Sequence, residues 1–168
     1  MRGIGAGMLA AALLCAAPAW AQSEEEIYQQ TGDRLLSAHR EDLQKNIDRA
    51  AAAMRAKDYK AARKHAQAVT RADPKRVEAW LMLGAAQVAL EDWKGARGTY
   101  TTAVRLSPID PEAHAGLGVA LAWTMDPKAT VQLAWLTTQV QACKGNCAGL
   151  AKYKSDVESA IVEAARGV

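Results

Sequence analysis

The residues best suited to chemistry are two cysteines near the C-terminal end of the chain. Cys143 and Cys147 enclose residues 144–146, and a third cysteine, Cys15, lies in the N-terminal segment. In an oxidising, exported compartment such a pair is expected to form a disulfide. The loop it closes is very short, so loop-closure entropy predicts a stabilisation of only about 1–2 kcal/mol. The Gly-Asn turn inside the loop relieves the strain that a continuous helix would impose.

Two other kinds of site use cysteines at this spacing. A Cys-x-x-x-Cys pair binds copper when a histidine joins it, but His39, His65 and His114 are all distant in sequence. The pattern is not that of haem attachment, because no histidine follows Cys147 directly. Metal binding and thiol-redox activity remain alternatives to the structural disulfide, and we expect no cofactor.

Catalysis and nucleic-acid binding find little support in the sequence. There is no Ser/His/Asp spacing, no glycine loop for phosphate and no HExxH motif, so the chain is expected not to be an enzyme. The formal net charge is +3, and the charges alternate in sign along the chain. A nucleic-acid-binding surface would instead be a clustered basic stripe. We therefore expect no nucleic-acid partner.

The first 21 residues have the pattern of a secretory signal peptide. The apolar and small residues from 4 to 17 form a run too short to anchor a chain in a bilayer. Ala19-Trp20-Ala21 fits the small-x-small cleavage pattern, which predicts a cut after Ala21. Lipidation at Cys15 is the weaker alternative, because Leu14 precedes it instead of a small residue. The predicted mature chain has no transmembrane segment, and the expected location is the bacterial periplasm.

The middle of the chain carries residues at the spacing of two antiparallel helices. In order they are Trp80, Leu83, Gly84, Ala96, Tyr100, Ala103 and Pro108. This pattern resembles the tetratricopeptide (TPR) repeat, a helix–turn–helix unit of 34 residues. Gly84 and Ala96 are the small residues expected where the two backbones approach closely.

Matching residues recur at the same 34-residue period. Asp58, Asp92 and Asp126 are one such series. We infer repeats at about 43–76, 77–110 and 111–142, although the outer two match less well: His114 occupies the position of Trp80. The resemblance implies an all-α protein, a short α-solenoid of about three repeats with flanking helices. A generic alanine-rich helical bundle is the alternative.

The segments beside the repeats are also predicted to be helical. Residues 22–42 form an N-terminal helix that begins at Ser23 and is interrupted at Thr31-Gly32-Asp33. It could cap the first repeat, occupy the groove or stay mobile. Residues 143–168 form the disulfide corner and a capping helix over 148–166, which covers the third repeat.

Three Asp-Pro pairs are expected to begin helices. In Asp73-Pro74, Asp110-Pro111 and Asp126-Pro127 the aspartate is predicted to be the N-cap and the proline the first helical residue.

The family resemblance also implies where a partner binds. In TPR proteins the first helices of the pairs line a concave groove that takes peptides or helices. The corresponding positions are Ile47, Ala51, Met54, Leu81, Ala85, Val88, Ala115, Val119 and Ala122. They hold no Lys, Arg or Asn, so the basic clamp that some members use for a C-terminal carboxylate is absent. The prediction is an exported adaptor or scaffold that binds an apolar protein or peptide segment. A self-assembling structural protein, or a homo-oligomer, is the remaining alternative.

Overall fold

The computed structural model describes residues 19–167, and within this range it contains seven helices and no strand. The helices are α1 (Ala19–Arg55), α2 (Tyr59–Ala72), α3 (Val77–Ala89), α4 (Trp93–Leu106), α5 (Pro111–Trp123), α6 (Ala129–Ala142) and α7 (Ala148–Arg166). The all-α prediction is confirmed. Most of the predicted signal peptide, residues 1–18, lies outside the described range.

The chain divides into two units, one ending at Arg40 and one beginning at Glu41. The described part of the first unit is a stretch of α1, in which Ile27, Leu35 and Leu36 are largely exposed. The interruption expected at residues 31–33 is wrong, since α1 continues through them. The helix also begins at Ala19, four residues before the start that the sequence marks.

The second unit is a row of helical hairpins with one recurring turn. Lys57, Glu91 and Met125, 34 residues apart, have positive φ angles of 60°, 58° and 55°. Each of these residues follows the C-terminus of the first helix of a pair, where a left-handed backbone conformation is common. Asp58 and Asp92 follow as N-caps, and each carboxylate accepts a backbone N–H at 3.0 Å from three residues further on. The periodic aspartates therefore begin the second helices.

We call the first helix of each pair (the end of α1, α3 and α5) the inner helix and the second (α2, α4 and α6) the outer helix. The two kinds differ in how their apolar residues are distributed. Helices α3 and α5 are apolar on nearly every side, whereas α2 and α4 have a polar face. A helix that is apolar all round belongs inside a protein. Accordingly α5, which packs against α4, α6 and α7, has no exposed residue. The predicted groove positions in the second and third repeats lie on these two apolar helices.

The ring of Tyr100 is the central contact of the second repeat. It is 4% exposed, and both α3 and α5 approach it through a glycine. A Cβ built on Gly84 would lie 2.6 Å from Tyr100 Cε2, and one on Gly116 would overlap the same ring. Ala96 is fully buried. The expected close packing is therefore confirmed at Gly84, and Gly116 adds a second contact with the same ring.

Only one of the three Asp-Pro pairs begins a helix. Asp110 caps α5 through hydrogen bonds at 2.9 and 3.2 Å, and Pro111 is the first helical residue. For the other two pairs the prediction is wrong, since α3 begins at Val77 and α6 at Ala129. In both cases the aspartate carboxylate accepts a backbone N–H two residues on, which forms a turn before the helix.

Candidate partner-binding face

The two cysteines form the predicted disulfide at the corner between α6 and α7. Their Sγ atoms are 1.96 Å apart and their Cα atoms 6.1 Å apart. Within residues 19–167 there is no group of three or more His, Cys, Asp or Glu residues that could hold a metal ion. The thiols are consumed by the bond, so the role that the structure shows for the pair is structural.

The histidine at the tryptophan position is a packing residue. Its Nε2 lies 3.0 Å from the carbonyl oxygen of Pro108, just as Trp80 Nε1 lies 2.8 Å from that of Pro74. The Nδ1 of His114 lies 2.7 Å from Oε1 of Gln132, so both ring nitrogens have polar partners inside the protein. The ring is 7% exposed and stacks on Trp135, with the ring centroids 3.8 Å apart. This surface therefore offers no exposed base at His114.

The nine predicted groove residues do not share one environment. Ile47, Ala115 and Ala122 are buried, at 2%, 5% and 5% exposure. The other six are partly exposed, or half-buried: Ala51, Met54, Leu81, Ala85, Val88 and Val119. Ile47 of α1 packs against α2 and α3, in a cluster with Val69 and Ala79. In the described chain the accessible part of the predicted groove therefore consists of those six residues.

Helix α7 accounts for the burial in the third repeat. Val157 of α7 is fully buried and packs in one cluster with Ala115 and Leu136. A Cβ on Gly118 would lie 2.9 Å from the Val157 methyl groups, so the two helices touch closely at this glycine. Ala160 joins the cluster that contains Ala122. The capping helix thus covers the inner face of α5 over part of its length.

A cleft of about 210 Å³ remains where α3, α5 and α7 meet, and we call it the α3–α5–α7 cleft. Its apolar wall contains Val88, Ala115, Gly116 and Val119, three of which are predicted groove residues. Its polar residues are Tyr100, Glu112, Tyr153 and Asp156. The sequence pattern indicated Tyr100 as a residue of the repeat and gave no indication of the two carboxylates. The one sequence signal for this cleft is that Tyr153 lies one helical turn before Val157 on the same face of α7, which places Tyr153 on the side of α7 that packs against α5.

The polar side of this cleft is electronegative. Burial raises the pKa of the Glu112 carboxyl, and the neighbouring Asp110 carboxylate raises it further. Burial also raises the pKa of both Tyr100 and Tyr153, with Glu112 as the next contribution in each case. Both phenols therefore stay protonated at neutral pH. Asp156 pairs with Lys152, which is largely exposed, at 2.6 Å. Among the residues that the structure describes, no Lys, Arg or His lines the cleft itself.

The comparison with known proteins agrees with this architecture. The family model described as tetratricopeptide repeat matches residues 47–108 and 81–123, which cover α2 to α5 and the end of α1. Residues 47–123 of the chain are therefore tetratricopeptide repeats. Proteins of this family are generally adaptors without catalytic activity, and their repeats mediate protein–protein interaction. No curated protein matches the chain in sequence.

Among the helices of residues 19–167, none is both long enough and apolar enough to cross a bilayer.

Proposed function

We propose that this TPR protein is an exported, periplasmic adaptor that binds a protein partner through the partly exposed apolar residues of its inner helices. The observation that carries the proposal is the state of α3. Leu81 and Val88 pack on one side against the core of the second repeat, yet neither is fully covered by described residues, and Ala85 lies between them. An apolar surface of this kind is suited to the apolar face of a helix or strand.

The compartment rests on separate support. The N-terminal sequence has the signal-peptide pattern described above, and the disulfide at the corner before α7 is of the kind that persists in oxidising compartments. Fractionation of cells that produce the full precursor tests this part. We expect the protein in the periplasmic fraction, with a mass that corresponds to a chain beginning at Gln22. Recovery of the uncleaved precursor with cytosolic proteins would contradict it.

A pulldown from an envelope extract tests the binding surface. Leu81→Asp and Val88→Asp place a charge on the inner face, and both should abolish recovery of the partner. Val131→Asp on α6 is the matched control, because Val131 is 60% exposed and lies on an outer helix. Circular dichroism and thermal unfolding must show that each variant is folded. If the folded Leu81→Asp and Val88→Asp proteins recover the partner as well as Val131→Asp does, the groove proposal fails.

A deletion variant in the same pulldown and a light-scattering measurement separate the alternatives left open by the sequence. If residues 23–42 occupy the groove, their removal should increase partner recovery. If the chain binds a second copy of itself, light scattering at several concentrations should give a mass that rises with concentration, and Leu81→Asp should lower it.

A further inference from the structure

The α3–α5–α7 cleft contains a half-buried acidic group without a counter-ion. Glu112 lies at the second position of α5, and its carboxylate makes no salt bridge or hydrogen bond with any other residue of the described chain. Burial of an ionised carboxylate without a partner is costly, as the raised pKa of Glu112 reflects. An incoming cation would remove that cost.

A second, independent feature points into the same space. Tyr100 is 4% exposed and lines the cleft, yet its hydroxyl has no hydrogen-bond partner among residues 19–167. The hydroxyl oxygen itself is open to the cleft, because no buried side-chain nitrogen or oxygen of the described residues lacks a hydrogen-bond partner. Because burial keeps this hydroxyl protonated, it is available to a ligand as a neutral acceptor or donor.

We propose that the α3–α5–α7 cleft receives one lysine or arginine side chain of the protein partner, with Glu112 as its counter-ion. The inference rests on the proposed function, because the partner must lie in the groove for its side chain to enter. Val88 and Val119 provide an apolar wall for the aliphatic stem, as long basic side chains require. Tyr100 and Tyr153 also line the cleft. Tyr153 adds an aromatic ring near the charged group, whereas the Tyr100 ring is packed against glycines of α3 and α5 and contributes its hydroxyl.

Size and charge both favour a single side chain. At about 210 Å³ the cleft is smaller than the roughly 300–1,000 Å³ typical of pockets for small organic ligands. Its two carboxylates, Glu112 and Asp156, face no cation inside the cleft, and Lys152 engages Asp156 from outside, where its side chain is 72% exposed. The carboxylate that lacks a counter-ion is therefore that of Glu112.

Chemical-shift titration of the full mature chain with Nα-acetyl-lysine N-methylamide tests the inference. Nα-acetyl-norleucine N-methylamide, which has the same stem without the charge, is the matched probe. We expect the lysine probe to shift the backbone amides of Gly116 and Val119, and the norleucine probe to bind at least about tenfold more weakly, as loss of a charged hydrogen bond implies. The arginine analogue should behave like the lysine probe.

Two conservative variants and one control locate the effect. Glu112→Gln and Tyr100→Phe keep the size of each side chain and should weaken the lysine probe, Glu112→Gln by about tenfold or more. Glu163→Gln, an exposed position on α7, should leave its binding unchanged. Equal binding of the norleucine probe, or unchanged binding by Glu112→Gln, would overturn the inference. Tighter binding of cadaverine than of the lysine probe would assign the cleft to a free amine and would overturn it too.

The outcome is separable from that of the groove. Leu81 does not line the cleft. If Leu81→Asp abolishes partner recovery while the lysine probe fails to bind, the adaptor proposal stands and the cation inference fails. If the lysine probe binds and Leu81→Asp has no effect on recovery, the groove proposal fails, and with it the partner as the source of the cation.

Discussion

Replacing Gly84 by alanine is expected to destabilise the protein, although alanine is normally the better helix residue. In an exposed helix the change would raise the free energy of unfolding by about 1 kcal/mol. At Gly84 the added Cβ would lie 2.6 and 2.7 Å from two ring carbons of Tyr100. The ring is 4% exposed and Gly116 approaches it from α5, so it has little room to move. Overpacking of this kind costs about 1–3 kcal/mol, which leaves a net loss of up to about 2 kcal/mol.

Gly98→Ala is the matched control, because nothing lies within 4 Å of a Cβ at this exposed position of α4. It should raise the free energy of unfolding by about 0.5–1 kcal/mol. Urea denaturation followed by far-UV circular dichroism measures both variants against the parent chain. In a Tyr100→Ala background the cost of Gly84→Ala should disappear, since the clashing ring is gone. If Gly84→Ala stabilises the parent chain as much as Gly98→Ala does, the close packing of α3 against Tyr100 is refuted.

Three further changes test other parts of the molecule. Reduction of the Cys143–Cys147 disulfide should lower the free energy of unfolding by only about 1–2 kcal/mol, because the loop is so short; a loss of secondary structure on adding dithiothreitol would contradict this. His114→Ala should lower the free energy of unfolding by about 2–4 kcal/mol in thermal or urea unfolding. It removes a buried ring stacked on Trp135 and leaves the Pro108 carbonyl without its hydrogen-bond donor. His39→Ala, at an exposed position, is the control and should change it by no more than about 0.5 kcal/mol. Ionisation of Glu112 opposes folding, because burial raises the pKa of its carboxyl in the folded state. In urea titrations at stepped pH, Glu112→Gln should therefore gain stability relative to the parent chain as the pH rises above 4.5. A gain confined to lower pH would contradict the stated direction of the pKa shift.

Much of the fold could be predicted because each repeat carries its own local signals. The aspartates at positions 58 and 92 begin the outer helices by capping their first free N–H groups, which needs no information from the rest of the chain. The same reasoning failed for Asp73 and Asp126, where the carboxylate binds an amide two residues on and closes a turn instead. An Asp-Pro pair is compatible with both arrangements. Which one forms depends on how the following helix packs.

The partner-binding face was less accessible to sequence reasoning. The family positions predicted that Leu81, Val88 and Val119 lie on the first helices of their pairs, and they lie on α3 and α5, because a 34-residue period fixes which helix of a hairpin comes first. Their exposure does not follow from the period. Ala115 has the same repeat position as Leu81, yet it is buried because Val157 of α7 packs in the same cluster.

The sequence alone determined the repeated hairpins and the helix over residues 148–166, and it favoured the disulfide over the alternatives, since all three arise from signals close together along the chain. Only the tertiary structure decided which groove positions remain open and that Glu112 and Tyr100 share one cleft with Tyr153. These residues come from three helices, and their proximity depends on the packing of α7 against α5. Packing of this kind joins residues far apart in sequence through shape and close contact, as at Gly118 and Val157, and no local pattern records it.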